Sequence, residues 1–313
     1  MTEREVQILA KDAVLAGTIT VPDGGIDDFP VCLMIHGSGP LDRDENIKVQ
    51  KLNVFNTIAH RLAEHGVASL RYDKRGCGKS TGDHLRASHQ DTVEDAAAGI
   101  EFLLRSEGIS VDRIVLLGHS EGTVIAPQLA PRYPGMMGLV LLCPFVQPLE
   151  DILMNQARHM DHASKQLTGI SGIATRTFFR LGGGVIAGQQ RLIKKLKNTY
   201  TPTLRVLLRR IPAGSLRGLM ALDPPAIFAK VECPTLIIAG EKDVQCDPND
   251  VQIIVNQIQG ETESHIIRDL THILRRDAGQ PNIFHYTKII NDPLDEEVLE
   301  LIVGWFKKRK PAS

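Results

Sequence analysis

The segment Gly118-His119-Ser120-Glu121-Gly122 could supply a serine nucleophile. Four apolar residues, 114–117, run into it as a strand would, and a helix-compatible stretch follows it. Gly-x-Ser-x-Gly between a strand and a helix predicts a nucleophile elbow, a tight turn that lifts the serine hydroxyl clear of the sheet. Glycines suit both flanks, because a side chain there would collide with the neighbouring strand or helix. We therefore interpret Ser120 as a candidate nucleophile.

A serine hydroxyl needs a base to take its proton, and the base needs a third group to orient it. In the elbow architecture, the acid and then the histidine follow the serine along the chain. Asp243 comes just after the apolar run 234–239. Asp247 and Asp250 lie farther past that predicted strand, toward or inside a helix, so Asp243 is the preferred acid.

The preferred base is His272, which lies one residue past a predicted strand, 264–270, in a polar loop. His265 falls inside that strand, where packing explains it. His285 falls in a later irregular stretch. The three residues Ser120, Asp243 and His272 thus form a candidate catalytic triad.

An oxyanion hole requires two backbone N–H groups aimed at the developing negative charge. The N–H of Glu121 is one candidate, because it follows the nucleophile. The glycine-rich loop 36–44 is expected to supply the other from Ser38, with Gly37 as the fallback. We interpret His36 as a loop-shaping residue that hydrogen-bonds to the backbone. The side chain of Glu121 is interpreted as a surface or loop-bracing carboxylate.

The predicted elements bring these residues to one edge of a sheet. A hairpin over 5–9 and 14–21 opens the chain, and its strands then alternate with helices. This alternation predicts an α/β fold with a mostly parallel sheet and helices on both faces. The later predicted strands are 30–35, 67–72, 114–117, 138–142, 234–239 and 264–270, and the predicted helices are 49–65, 91–106, 124–130, 249–258 and 294–308.

The segment 73–82 contains Gly78-Lys79-Ser80, which resembles part of a phosphate-binding loop. That motif needs a glycine five positions before Gly78, where Asp73 stands instead. A carboxylate there would oppose phosphate binding. We interpret the segment as a turn beneath the glycine-rich loop 36–44, which we call the oxyanion loop. In this turn we expect Asp73 and Arg75 to be paired.

Residues 145–230 interrupt the alternation with four helix-like pieces separated by glycines and prolines. We predict a helical cap domain over 145–230 and an α/β core over 1–144 and 231–313. Residues 150–222 carry 12 Lys and Arg against 3 Asp and Glu, a net charge of +9. This charge fits a solvated surface. The cluster Arg191, Lys194, Lys195 and Lys197 would also attract an anionic substrate such as an acyl-CoA.

The composition of the chain indicates which partners and which cellular compartment to expect. A formal net charge of −1 provides no overall attraction for nucleic acid or an anionic membrane. Five widely spaced cysteines without a Cys-x-x-Cys pair indicate buried thiols in a reducing compartment. The first residues lack signal-peptide features and no apolar run reaches 18 residues, so we expect a cytoplasmic protein without a transmembrane segment. A homodimer is compatible with the sequence.

Three motifs together carry a resemblance: His-Gly-Ser-Gly-Pro-Leu-Asp-Arg-Asp from residue 36, Asp-Lys-Arg-Gly-Cys-Gly-Lys-Ser from residue 73, and Gly-His-Ser-Glu-Gly from residue 118. The chain resembles the α/β-hydrolase superfamily along almost its whole length. Within it, the motifs are similar to a capped bacterial acyl esterase subgroup that neighbours the serine aminopeptidases and monoacylglycerol lipase-like enzymes. That subgroup often has Asn-His where this chain has Thr271-His272. The resemblance implies a serine hydrolase with a helical cap.

The sequence therefore predicts hydrolysis of a small-molecule carboxylic ester through an acyl-enzyme, which requires neither a metal nor an organic cofactor. An acyl-CoA thioesterase and a proline-type aminopeptidase are the alternatives. Within residues 150–222, the predicted cap contains only three carboxylates that could hold a peptide's α-amino group: Glu150, Asp151 and Asp161. A non-catalytic ligand-binding protein is an alternative from another class, and the complete triad opposes it.

Overall fold

The computed structural model describes residues 1–23, 29–107, 109–207 and 209–309, without the side chains of Ile170 and Ser171. The strands in these ranges are β1 (Thr2–Ala10), β2 (Ala13–Val21), β3 (Val31–Ile35), β4 (Ala68–Tyr72), β5 (Ile114–His119), β6 (Gly138–Leu142), β7 (Leu204–Val206), β8 (Arg209–Ile211), β9 (Thr235–Gly240) and β10 (Thr262–Ile267).

Helices in the same ranges are α1 (Val54–Glu64), α2 (His89–Leu104), α3 (Gly122–Leu129), α4 (Leu149–Gln166), α5 (Gly169–Leu181), α6 (Val185–Lys197), α7 (Ala213–Met220), α8 (Pro224–Phe228), α9 (Asp250–Gln257), α10 (Tyr286–Ile289) and α11 (Glu296–Lys308). Within these described residues, no helix is both long and apolar enough to cross a membrane.

The central sheet has the strand order β1-β2-β4-β3-β5-β6-β9-β10. β1 pairs with β2, and β2 with β4, in antiparallel fashion, whereas the other neighbours are parallel. This confirms the predicted α/β fold with an N-terminal antiparallel hairpin. The strands β5, β9 and β10 all run in one direction, so their carboxyl ends meet at one edge of the sheet.

Both faces of the sheet are covered. Along β5, Ile114 and Leu116 belong to one apolar cluster, whereas Val115 and Leu117 belong to the cluster on the opposite face. This alternation follows from the two-residue period of a strand. Burial on both faces also explains why the strand is a continuous apolar run.

Two predicted bounds near the site differ from the observed ones by three residues or more. α1 begins at Val54 rather than residue 49, because residues Ile47 and Gln50 pair across an isolated bridge before it. β10 ends at Ile267, since a turn in which Asp269 has φ = 60° follows. Four residues therefore separate His272 from the end of the strand, instead of one.

Between β6 and β9 the chain forms helices α4 to α8 and the β7–β8 hairpin, where the sequence predicted four helices and no strands. Leu196, Leu204 and Ala213 form a small apolar cluster of this insertion, while Leu219 and Phe228 join a core cluster of the sheet. We propose that this insertion is the cap domain, with the bounds 145–230 given above.

The turn after β4 lies under the loop after β3, because Lys74 N donates to Leu41 O at 3.2 Å. The predicted Asp73–Arg75 pair is wrong. Asp73 instead pairs with Arg43, at 2.9 Å, and Arg75 pairs with Asp95, at 2.6 Å. Asp73 and Arg75 therefore each pair with a residue that is distant in the sequence.

Candidate active site

Ser120 occupies the turn between β5 and α3 with φ = 52°. A Cβ at Gly118 would lie 2.3 Å from Gly122 O, and one at Gly122 would lie 2.1 Å from Ile35 O. Both distances are too short for any other residue type, which explains the two flanking glycines. The strained backbone holds the Ser120 side chain at the edge of the sheet, as the elbow prediction requires.

The three candidate triad residues meet at this edge. His272 Nε2 lies 3.0 Å from Ser120 Oγ, and His272 Nδ1 lies 2.7 Å from Asp243 Oδ2. Asp243 Oδ1 accepts the N–H groups of Gln245 and Cys246, at 2.7 and 2.9 Å. The carboxylate is therefore held in place on one oxygen while the other faces the imidazole.

A tight turn holds the backbone next to His272. Thr271 N and Thr271 Oγ1 both donate to Arg275 O, at 3.0 and 2.8 Å. The backbone at His272 is consequently ordered by its own loop, although the strand ends well before it. The hydroxyl of Thr271 therefore stabilises this turn directly.

The other candidates for acid and base lie elsewhere. Asp250 accepts the N–H of Val146 at 3.0 Å, and Asp247 accepts the N–H of Asn249 at 2.9 Å. His265 and His285 contact the carboxylates of their own loops or strands. None of these contacts involves Ser120.

Of the two predicted oxyanion donors, Ser38 lies in the loop after β3 and Glu121 directly follows Ser120. The N–H groups of Ser38 and Glu121 donate to no other residue within the described ranges. The fallback donor, Gly37, is engaged, because its N–H donates to Glu45 Oε1 at 2.8 Å. A Cβ at Gly37 would lie 3.2 Å from Ser120 Cβ, so the loop packs directly against the nucleophile.

His36 differs from its prediction. Its imidazole is buried, 4.9 Å from the ring of Tyr72 and 5.4 Å from that of Phe55. Its Nε2 has no hydrogen-bond partner among the described residues. Burial, with Lys74 nearby, lowers the pKa of His36 to about 4. The ring therefore packs as a neutral aromatic group.

A buried ion pair that sequence reasoning missed lies behind the triad. His119 Nδ1 is 2.7 Å from Glu45 Oε2, and His119 Nε2 is 3.0 Å from His272 O. Burial alone would raise the pKa of Glu45, but His119 and the Gly37 N–H hold it below its usual value. Burial alone would lower the pKa of His119, but Glu45 raises it. The Glu45–His119 pair therefore connects the loop that contains Gly37 to the loop that contains His272.

A second buried ion pair lies under the oxyanion loop. Glu121 is 4% exposed, and its Oε2 lies 3.4 Å from Lys74 Nζ. Burial by itself raises the pKa of Glu121, yet Lys74 and His89 bring it down to about 2. The carboxylate is thus a loop brace, as one of its two interpretations held, and is not on the surface. The sequence signal that could have revealed this pair was a charged residue, Glu121, directly after Ser120.

We expect Glu45→Gln to lower the free energy of unfolding by roughly 3 to 5 kcal/mol, because it leaves a buried charge without its partner. This loss of unfolding free energy should be largest at mildly acidic pH. The contribution of Glu45 disappears as pH falls through its lowered pKa, and that of His119 disappears as pH rises through its raised pKa. Urea denaturation at pH 5.5 and 9 measures both effects.

The matched control is Glu263→Gln, which breaks the contacts of Glu263 with His265, at 3.1 Å, and with Lys308, at 2.9 Å. Both pairs are partly exposed, so the loss of each should cost at most about 1 kcal/mol. Equal losses of unfolding free energy in the two variants would show that the Glu45–His119 pair stabilises the fold no more than a partly exposed pair does.

Among the described residues, donor atoms that could hold a metal lie within 4.8 Å of one another in two groups, His119–Cys143–His272 and Asp243–Cys246–His272. Both groups include His272, whose two nitrogens already contact Ser120 and Asp243. Burial raises the pKa of Cys143 and Cys246 well above the usual range, which opposes the thiolate form that metals bind. The arrangement favours proton transfer over metal binding.

A cavity of about 250 Å³ opens between α4 and the turn that carries Asp243. Ile152 and Asn155 from the insertion line it, together with Asp243 and Val244 from the core. The insertion therefore approaches the triad from the acid's side.

Residues 49–278 match the family model described as serine aminopeptidase, S33. This match covers most of the chain, including the elbow, Asp243 and His272. The chain belongs to the serine aminopeptidase S33 family. It is 28% identical over 296 residues to esterase EstD of Thermotoga maritima, covering 94% of this chain and 66% of that protein.

Solved structures at low identity share the fold of this S33 family member. Est1E from Butyrivibrio proteoclasticus, with ferulic acid bound, aligns over 97% of this chain and 96% of its own at a TM-score of 0.62 and 17% identity. A complex of DcsB with its substrate analogue aligns over 99% and 100% at a TM-score of 0.66 and 15% identity. These likenesses establish the α/β-hydrolase fold.

Proposed function

We propose that the protein hydrolyses carboxylic esters through an acyl-enzyme formed on Ser120. The observation that carries this proposal is the continuous contact from Ser120 Oγ through His272 to Asp243, at 3.0 and 2.7 Å. Such a chain lets the imidazole accept the serine proton while the carboxylate stabilises the resulting imidazolium.

In the first step, Ser120 Oγ attacks the ester carbonyl and its proton passes to His272 Nε2. The tetrahedral oxyanion is held by the N–H groups of Ser38 and Glu121. When the intermediate collapses, His272 returns the proton to the leaving alcohol. A water molecule then attacks the acyl-enzyme in the same way, releasing the carboxylic acid and restoring Ser120.

An ester fits the insertion better than a peptide. A peptidase of this kind would need a free carboxylate for the substrate's α-amino group. Glu150 is paired with Lys197 at 2.6 Å, and Asp161 with Lys165 at 2.7 Å. Two of the three carboxylates in residues 150–222 are therefore already engaged. The similarity to a protein named as an esterase supports the same choice.

The test is a panel of p-nitrophenyl esters graded by acyl length, assayed beside an aminoacyl p-nitroanilide. Hydrolysis of the esters with little release from the anilide supports the proposal. Faster release from the anilide would instead assign a peptidase. Labelling by a fluorophosphonate, lost in Ser120→Ala, distinguishes an enzyme from a ligand-binding protein, because a binder needs no activated serine.

The exposed basic residues of α6 favour a second candidate, an acyl-CoA thioesterase. Lys194 and Lys195 are exposed on the last turn of α6, whereas Lys197 is paired with Glu150. If these lysines attract an anionic substrate, changing Lys194 and Lys195 to Gln should raise KM for an acyl-CoA several-fold, with little change for an uncharged ester. Added salt should produce the same effect, because exposed charges are screened beyond about 8 Å at physiological ionic strength.

The matched control changes Lys307 and Lys308, a consecutive pair at the end of α11, to Gln. This variant should leave both KM values near those of the wild type. Equal changes for both substrates in the α6 variant would indicate that the α6 lysines have no role in substrate attraction.

A further inference from the structure

A buried lysine holds the peptide group that carries one proposed oxyanion donor. Lys74 Nζ donates to Gly37 O at 2.8 Å, and the Lys74 side chain is 6% exposed. Gly37 O and the Ser38 N–H belong to the same peptide group. In a trans planar peptide these two bonds point in opposite directions. Lys74 therefore fixes the direction of the Ser38 N–H, which points away from the lysine.

The neighbouring peptide group is held by a second charged side chain. Gly37 N donates to Glu45 Oε1 at 2.8 Å, and Glu45 is 1% exposed. Both backbone polar groups of Gly37 are thus bound to buried ionic groups. The Ser38 N–H, in contrast, has no partner among the described residues, and Ser38 is exposed. The loop leaves one donor available beside Ser120.

The charge on Lys74 should also strengthen this donor. A cation bound to a carbonyl oxygen polarises the peptide and makes its N–H a better donor, an effect that grows in a poorly solvated site. Glu121 Oε2, 3.4 Å from Lys74 Nζ, offsets the charge of the buried ammonium. Because the donor is aligned before the reaction, no reorganisation is needed when negative charge develops.

We propose that Lys74 is a positioning residue for the oxyanion hole, acting through the Gly37–Ser38 peptide to aim and polarise the Ser38 N–H. This inference rests on the ester hydrolysis proposed above. It assigns a role to a lysine that touches neither the substrate nor the triad.

The test compares the wild type with Lys74→Met and with the double variant Lys74→Met/Glu121→Gln. The double variant removes both charges, so that it folds even if the single variant leaves an intolerable buried carboxylate. We expect kcat to fall about 100-fold with little change in KM, because removing one oxyanion donor costs 10² to 10³ in kcat. The affinity of a trifluoromethyl ketone, which forms a tetrahedral adduct with Ser120, should fall by a similar factor.

A spectroscopic measurement separates positioning from a general loss of structure. With ¹³C in the ketone carbonyl, the chemical shift of the adduct reports the pH at which its hydroxyl ionises. That midpoint should be higher in the Lys74 variants by about one pH unit or more, since each unit is a tenfold change in oxyanion stability. An unchanged midpoint, or equal losses in kcat and in substrate binding, would overturn the proposal.

The matched control is Arg75→Met, which removes the next residue's buried ion pair with Asp95 in the same turn. This variant should lose stability but keep the wild-type midpoint of the adduct. A shifted midpoint in Arg75→Met would assign the effect to the turn and overturn the role of Lys74. Wild-type protein that hydrolyses no ester would refute the proposed function itself, whereas active wild type with fully active Lys74 variants would refute this inference alone.

Discussion

Replacing Ser120 with alanine should lower kcat for an ester by roughly 10⁶-fold, as removal of the serine does in other triad enzymes. The hydroxyl that forms the acyl-enzyme is then absent, and no neighbouring group replaces it. Steady-state rates with a p-nitrophenyl ester and labelling by a fluorophosphonate measure the effect. A variant that keeps more than a tenth of the activity would refute Ser120 as the nucleophile.

The fold should survive this change. Ser120 has φ = 52°, a conformation that is equally unfavourable for serine and alanine. The control is Ser264→Ala, an exposed serine on β10, for which we expect wild-type rates. Thermal unfolding of both variants should resemble that of the wild type, which shows that the lost activity reflects lost chemistry.

Asp243→Asn should lower kcat about 10⁴-fold while the protein stays folded. The asparagine oxygen can still accept the N–H groups of Gln245 and Cys246. Its NH₂ group would then face His272 Nδ1 and favour the tautomer that carries its proton on Nε2. A protonated Nε2 cannot accept the proton of Ser120. Rates measured from pH 6 to 9 check that the deficit is not a displaced pH optimum.

Asp247→Asn is the matched control for this prediction. Asp247 lies on the same connection after β9, but its carboxylate contacts Asn249 and Gln147 instead of His272. We expect its activity to stay within about twofold of the wild type, as for most changes away from reacting groups. A larger loss in Asp247→Asn than in Asp243→Asn would move the acid to Asp247.

The sequence by itself predicted the features that depend on local pattern. Glycines at 118 and 122 can be recognised because they stand at fixed spacing on either side of the serine, and strands such as β5 can be recognised from a continuous apolar run. The order of strands and helices then predicted that Asp243 and His272 lie at the same edge of the sheet as Ser120. The placement of the three residues needs only this order, because parallel strands end together.

Only the tertiary structure decided how the charged residues pair. The Asp73–Arg75 pair predicted from their closeness in sequence is absent, and Arg43 and Asp95 take their places. Likewise, Glu45 meets His119 from 74 residues away, and Lys74 reaches Gly37 from 37 residues away. A charged residue carries no periodic signal that identifies its partner, since an ion pair needs two side chains in contact and places no demand on the chain between them. The loop after β3 was therefore predictable in position, whereas the lysine and the ion pair that hold it were not.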